Sequence, residues 1–314
     1  MSSNRSQAPA VSVVVPAYQV SEWLADALNS IFSQTYSDFE VLVVDQDRDE
    51  RMDRVLEPFR DRIHRLTLSP PGVSAARNLA VKSARGHIIA QLDGDDIWEP
   101  NALEILVGML ENDPSLDLVF PNAVLFGDAK TEGALFQQLF PARRPVTYED
   151  VVTRRTIVFG AGAYRKAVFE QVGGFDESIA YGEDLDLWIR MLRAGARIDF
   201  TEKVLYRYRR RPDAACDQPE VERLEKVLRV FRKQLEQPGL TPSQKAAVEK
   251  VIRATIADQE LIRAKHLLSV GDYAGARKAL DLANHERPTV KLSVIAAVSR
   301  VAPSLVAALA KRRV

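Results

Sequence analysis

The stretch HIIAQLDGDDIWEP, residues 87–100, decides how the chain is read. Its first half, HIIAQL, is an apolar run of the kind found in strands buried on both faces. Its second half puts Asp93, Asp95 and Asp96 into four positions directly past that strand. Like charges a few ångströms apart near a protein surface repel by roughly 4 kcal/mol at an effective dielectric near 20. Such a cluster reads either as a solvated, helix-capping turn or as a site that a divalent cation completes. An EF-hand fails for want of spaced ligands and a distal Glu. A phosphatase of the haloacid-dehalogenase type would carry its Asp-x-Asp after the first strand, whereas this cluster follows the fourth.

Outward from that strand the pattern alternates. VSVVV (11–15) is a buried strand ending at Pro16, and FEVLVVD (39–45) is a second. Between them SEWLADALNSIFSQ (21–34) has the helical period, with Ser21 as N-cap and Trp23, Leu24, Ala27, Leu28 and Ile31 on one face. RIHRLTL (62–68) is a third strand, VSAARNLAVKSA (73–84) a helix, 101–111 another helix and LDLVF (116–120) a further strand. Residues 125–150 read as a long connection. A short helix is expected within 162–177 and one with acids at its start over 182–195. ARIDF and KVLYRYRR then close the domain as strands near residue 212. Alternating strands and helices predict an α/β fold, a mostly parallel sheet with helices on both faces. Ligands of such sheets bind past the carboxyl ends of the strands, where Tyr18, Asp45 and Asp93–Asp96 fall.

Lys and Arg number 43 and Asp and Glu 43, so the whole chain offers no electrostatic footprint for nucleic acid. The single cysteine, Cys216, forbids an internal disulfide or a thiolate cluster and suits a reducing compartment. MSSNRSQAPA (1–10) has no apolar core for a signal peptide and reads as a disordered lead-in. Beyond residue 212 the character turns helical, over 221–237 and 241–271. AKHLLSVGDYAGARKALDLANHERP (264–288) resembles one tetratricopeptide-type hairpin; a lone unit builds no solenoid, so 213–314 is expected to be a helical subdomain. It ends in KLSVIAAVSRVAPSLVAALAKRRV, where Arg300 and Pro303 interrupt any membrane span. An amphipathic helix lying on anionic lipid and an ordinary packed helix with a solvated basic tail both fit that segment.

Three blocks taken together, PAYQVSEWLADALNSIFSQTYSDFEVLVVD, GVSAARNLAVKSARGHIIAQLDGDDIWEPNAL and VGGFDESIAYGEDLDLWIRMLRAG, resemble the family 2 glycosyltransferases of the GT-A fold over roughly residues 11–210. The resemblance implies that Pro16 and Tyr18 line the nucleobase pocket and that Asp45 contacts the base. It implies that Arg77 faces the nucleotide, that Asp93 lies near the ribose, that Asp95 is the metal ligand and that Asp96 supports it. It makes Asp184 of Glu183-Asp184 the general base; on local pattern alone the pair also reads as first-turn acids offsetting the helix macrodipole. Trp188, one turn along, either stacks on an acceptor sugar or packs in the core. The implied activity is inverting, metal-dependent hexosyl transfer from a nucleoside-diphosphate sugar to a glycan or lipid-linked glycan acceptor, with Mn²⁺ or Mg²⁺. Surface or exopolysaccharide synthesis at the cytoplasmic face of the membrane is the implied setting.

Two departures stand out. The usual Asp-Asp-Gly-Ser is Asp45-Gln46-Asp47-Arg48 here, and the His that often follows the last strand is replaced by the run Tyr206-Arg207-Tyr208-Arg209-Arg210-Arg211. Arg209 or its neighbours suit neutralisation of a diphosphate instead. These departures keep open a catalytically decayed, nucleotide-sugar-binding scaffold. A sugar-1-phosphate nucleotidyltransferase would need a glycine-rich loop where PAYQVSEWL stands.

Overall fold

The computed structural model describes residues 8–211, 219–302, 304 and 306. The first residues of the lead-in, Cys216 and the terminal basic cluster lie outside the described residues. The chain divides into two compact units, Met1–Ala214 and Ala215–Val314.

The first unit runs β1 (Val11–Ala17), α1 (Leu24–Phe32), β2 (Phe39–Asp45), α2 (Glu50–Leu56), β3 (His64–Thr67), α3 (Val73–Ser83), β4 (Ile88–Gln91), β5 (Ile97–Trp98) and α4 (Ala102–Asn112). It continues with β6 (Leu118–Phe126), α5 (Phe136–Leu139), α6 (Tyr148–Val152), β7 (Ala163–Arg165), α7 (Lys166–Gln171), α8 (Glu183–Arg193) and β8 (Ile198–Arg209). All eight strands form one sheet in the order β3-β2-β1-β4-β7-β6-β8-β5. β3, β2, β1 and β4 are parallel, as are β6 and β8, whereas β7 is antiparallel to both its neighbours and β5 to β8. The sheet is therefore mixed, with the expected parallel half on one side. β1 and β4 are buried along their whole length, which is why their sequences show no alternation.

Three local expectations are corrected. Ser21 does not cap α1; Trp23 precedes the helix without a side-chain cap, and the Trp23 and Leu24 amides donate to the Val20 carbonyl. The short helix expected within 162–177 is present as α7 but begins only at Lys166. Ala163 and Tyr164 are sandwiched between β4 and β6 as strand β7, and a side chain at Gly162 would run into the β6 backbone. ARIDF and KVLYRYRR are one twelve-residue strand, β8, whose pairing with β6 slips around Asn122. Such a bulge bends the strand and re-aims its end.

The second unit contains α9 (Glu220–Glu236), α10 (Pro242–Ser269), α11 (Tyr273–Glu286) and α12 (Val290–Val301). Thr241 and Gln244 form a reciprocal capping box at the start of α10, and the Asp272 side chain caps α11 by accepting from the Gly275 amide. Ala257 and Ala264 of α10 pack with Ala279, Leu280 and Ala283 of α11 and with Leu292 and Ala296 of α12. The small residues are what allow close helix approach. No helix among the described residues is long and apolar enough to cross a membrane.

Candidate active site

The acidic turn leaves β4 beside β1. Gly94 is needed there, because a Cβ would stand 2.9 Å from Val20 Cγ2 and 3.2 Å from the Pro16 carbonyl oxygen. Within the turn the three acids have separate surroundings. Asp96 is 2% exposed, and its carboxylate accepts the Arg209 amide at 2.7 Å, tying the turn to the end of β8. Burial, with Asp95 and Asp93 beside it, pushes the Asp96 pKa well above the ordinary carboxylate range. Arg209 also donates from Nε to the Asp95 carbonyl at 2.7 Å. Asp95 directs its carboxylate to Arg211, with Nε 3.0 Å away. Burial and the neighbouring Asp93 push its pKa up to about 6 against the pull of Arg211. Arg211 lies over the Trp23 ring at 4.5 Å. The Asp93 amide donates to the hydroxyl of the buried Tyr206 at 3.3 Å.

Arg77, on α3, joins the acidic turn to α8. It is 6% exposed, and its guanidinium gives Nη2 to Asp93 at 2.9 Å and Nη1 to Glu183 at 2.7 Å. Burial works against its charge, but Asp93 and Glu183 outweigh that and raise its pKa. Asp184, next to Glu183, opens α8 with its carboxylate accepting the Leu185 amide at 2.7 Å. Burial and Glu183 push the Asp184 pKa up to about 6. Gly160 lies against that carboxylate, since a Cβ there would stand 2.9 Å from Asp184 Oδ2. Behind it the Gln91 side chain donates to the Gly160 carbonyl at 3.3 Å.

The turn before α8 is held from two sides. Asn78 accepts from the Phe175 amide and donates to the Phe175 carbonyl, both at 2.9 Å, while Gly174 adopts φ +72°. Arg190 donates to the Val172 and Gly174 carbonyls, each at 2.7 Å, and pairs with the buried Asp186 at 2.8 Å. The Ser-Ala-Ala-Arg-Asn and Gly-Gly-Phe blocks are thus two halves of one scaffold.

The loops after β1 and β2 meet as well. Tyr18 is 44% exposed, and Pro16 is buried within β1 opposite Val44. Asp47 accepts the Gln19 amide at 2.7 Å and thereby links the loops, in which Gln19 and Arg48 both take φ +54°. Asp45 is fully buried. One of its oxygens accepts the Asp47 and Arg48 amides at 3.1 and 3.0 Å, and the other takes Arg65 at 2.5 Å. Arg65 continues to Asp53 at 2.6 Å. Gln46, the departure from the family pattern, accepts the Gly72 amide at 2.7 Å and so pins the start of α3, the helix that carries Arg77.

Asp93, Asp95, Arg77, Glu183 and Asp184 are therefore brought together. Pro16, Tyr18 and Asp45 belong to the neighbouring loop pair. Trp188 is not at the surface: it is 2% exposed, edge-to-face with Tyr164 at 6.0 Å, and packs in the core. Sequence reasoning misses Gly160, Tyr206 and Arg65. Only Tyr206 leaves a trace, as an aromatic inside a basic strand end.

Among the described residues no three His, Cys, Asp or Glu side chains are arranged to hold a metal ion. The donor set is instead one carboxylate, Asp95, with Asp93 close enough to raise its pKa. Hard carboxylate oxygens are the donor type that Mg²⁺ and Mn²⁺ take, one or two at a time with phosphate and water completing the shell, though here Arg211 also lies against Asp95.

Known proteins share the sequence pattern and the fold. The model of "Glycosyl transferase family 2" matches residues 12–173. The chain is 30% identical over 186 residues to the Escherichia coli UDP-Glc:alpha-D-GlcNAc-diphosphoundecaprenol beta-1,3-glucosyltransferase WfgD, covering 58% of this chain and 70% of that one. It is 27% identical over 197 residues to chondroitin synthase of Escherichia coli, covering 62% of this chain and 28% of that one. An uncharacterized glycosyltransferase of Rickettsia typhi matches at 24% identity over 206 residues, and the chain spans 64% of its length. Among solved structures, Staphylococcus aureus TarS 1–349 in complex with UDP-GlcNAc superimposes with a TM-score of 0.65 at 18% identity, covering 92% of this chain and 87% of that one. The mannosyltransferase PcManGT from Pyrobaculum calidifontis, in complex with GDP-Man and Mn²⁺, gives 0.59 at 18% identity, covering 97% and 86%. The fold is that of the GT-A glycosyltransferases, and with the family model matched over more than half its length the chain belongs to glycosyltransferase family 2.

Proposed function

We propose that this protein transfers a hexosyl unit from a nucleoside-diphosphate sugar to a hydroxyl of a glycan or lipid-linked glycan, with inversion at the anomeric carbon. The observation that carries this reading is the Arg77 bridge from Asp93 to Glu183, which sets the acidic turn and the start of α8 in one network. In this reading a donor is held at the acidic turn and an acceptor at α8, so that the two approach from different elements.

Asp184 receives the proton. The acceptor oxygen bonds to the anomeric carbon while the bond from that carbon to the diphosphate oxygen breaks and the diphosphate leaves with the electron pair. A carboxylate with a pKa near 6 is a stronger base than an ordinary aspartate and is still ionised at neutral pH. Glu183, held by Arg77 at 2.7 Å, orients the start of α8. Asp93 serves the ribose side, Tyr18 offers its exposed ring to the base, and Arg209 and Arg211 face the diphosphate charge. Asp95 would hold the divalent ion, which when bound supplies Lewis-acid stabilisation of the departing diphosphate. Asp45 supports the nucleobase loops through the amides of Asp47 and Arg48. The setting we propose is glycan assembly at the cytoplasmic side of a membrane, by analogy with the lipid-linked acceptor in the name of WfgD.

The test is donor binding and slow donor hydrolysis across UDP-, GDP- and dTDP-sugars, with Mn²⁺, with Mg²⁺ and with chelator. Release of one nucleoside diphosphate that depends on metal and is abolished in Asp95→Asn is the expected result. Folded protein that binds a donor yet never turns it over, with or without acceptor, would replace the enzyme by a donor-binding scaffold.

A further inference from the structure

Helix α12 is apolar on two opposite sides. Leu292, Ala296 and Ser299 are buried, the first two in the helical core. On the other side Val290, Val294 and Val301 are 85%, 56% and 84% exposed, with Ala297 exposed between them. At 3.6 residues per turn these four fall within about 60° of one another, centred roughly opposite the buried face. Pro288, Thr289, Val290, Ser293, Val294 and Ala297 line a shallow open hollow at its start. A core-packed helix has no need of a second apolar stripe, and three large exposed valines in register mark an unpartnered surface.

The charge around the stripe indicates what covers it. Lys291 lies to one side of it and Arg300 to the other, both exposed. Arg300 and Arg287 pair with half-exposed acids, Asp281 at 2.8 Å and Asp258 at 2.6 Å, and partly solvated pairs of this kind are weak enough to exchange for another anion. From Arg287 onward the sequence has six Lys and Arg and no Asp or Glu. The asymmetry extends to the whole unit: residues 215–314 carry 18 basic against 11 acidic side chains, while residues 1–214 carry 25 against 32. Two copies meeting through this face would bring like charges together. A surface that is both apolar and anionic satisfies it on both counts.

We infer that the Val290–Val294–Ala297–Val301 face of α12 docks on an anionic lipid bilayer, lying in the plane of the interface. The valines enter the boundary between headgroups and acyl chains, and Lys291, Arg300 and Arg287 meet lipid phosphates. The contact needs no spanning helix. It deepens the proposed function, since a lipid-linked acceptor lies at such a surface, yet its test involves neither donor nor transfer.

The experiment is sedimentation of the full chain with phosphatidylcholine vesicles and with vesicles of phosphatidylcholine and phosphatidylglycerol. Binding is expected to be at least about fivefold stronger to the anionic vesicles, as one or two basic side chains near the surface provide, and to fall as salt is raised. Val290→Asp/Val301→Asp should weaken it about tenfold, and Lys291→Glu/Arg300→Glu should remove the preference for anionic lipid. Circular dichroism and thermal unfolding verify that these exposed substitutions leave the fold unchanged. Folded protein that ignores both vesicle types would overturn the inference. So would a dimer in analytical ultracentrifugation that Val290→Asp/Val301→Asp dissociates, which would make the face a contact between copies, or binding that the aspartates leave untouched.

Discussion

Arg77 and Glu183 stand 106 residues apart in the chain and 2.7 Å apart in the fold. With Asp93 on the same guanidinium, one buried cation holds two carboxylates from separate elements. Arg77→Met should therefore cost about 3 kcal/mol of stability, because removing one member of a buried ion network leaves the others without a counter-charge. Arg77→Lys should keep most of that stability but lose the two-pronged geometry and with it turnover. Urea midpoints and transfer rates on the same samples separate the two effects.

Asp184 gives a pH signature. As its carboxyl titrates near 6, kcat/KM should rise about tenfold per pH unit below 6 and level off above it. The same shift predicts a cost in stability. A carboxyl whose pKa is raised on folding is destabilising above its folded pKa, and the penalty disappears as pH falls through about 6 toward the unfolded value. Asp184→Asn should thus abolish transfer, leave donor binding intact, and unfold at higher urea than the parent at pH 8 by about 1–3 kcal/mol. The gain should shrink as pH falls through 6 and vanish by about pH 3, below the unfolded pKa. Unchanged transfer in this variant would remove Asp184 from the base role.

Gly160 should tolerate no side chain. The Cβ of Gly160→Ala would meet Asp184 Oδ2 at 2.9 Å, and the carboxylate must turn to relieve it. The expected result is a fall in kcat of about 10²-fold with donor KM little changed, since displacements of about an ångström in a reacting group have that effect.

Arg211 supplies the cation beside Asp95, so a Mn²⁺ held by Asp95 as proposed would displace it. In Arg211→Ala the affinity for Mn²⁺ alone, followed by electron paramagnetic resonance, should rise about two- to fivefold, the range of one partly exposed ion pair. Donor affinity in the presence of Mn²⁺ should fall, because a diphosphate loses an arginine.

Most of the sheet was legible because its central strands are unalternating apolar runs, and the acidic turn because three aspartates in four positions cannot extend an apolar strand. Other features depend on the partner strand or helix rather than on local pattern. The strand at Ala163 is three residues long and leaves no periodicity. Asp45 reads as a strand-end acid open to a ligand, yet the parallel pairing of β2 with β3 brings Arg65 within reach and the carboxylate is consumed internally. Trp188 sits among apolar positions of α8 with Leu187, Ile189 and Met191, also buried, and that density was the clue to its burial. The ion pair of Asp95 with Arg211 has no sequence signature, because a bulged strand delivers the arginine.

The tie between Asp96 and the Arg209 amide spans 113 residues and bears on how the protein is made. A ribosome adds about 5–20 residues per second, so the acidic turn emerges on the order of ten seconds before the strand that closes over it. During that interval three neighbouring aspartates have neither Arg209 nor Arg211 beside them, and the turn stays open to solvent. The acidic turn is thus completed last, by the same strand that finishes the sheet, so a nascent chain does not present the turn in its final surroundings before the first unit is whole.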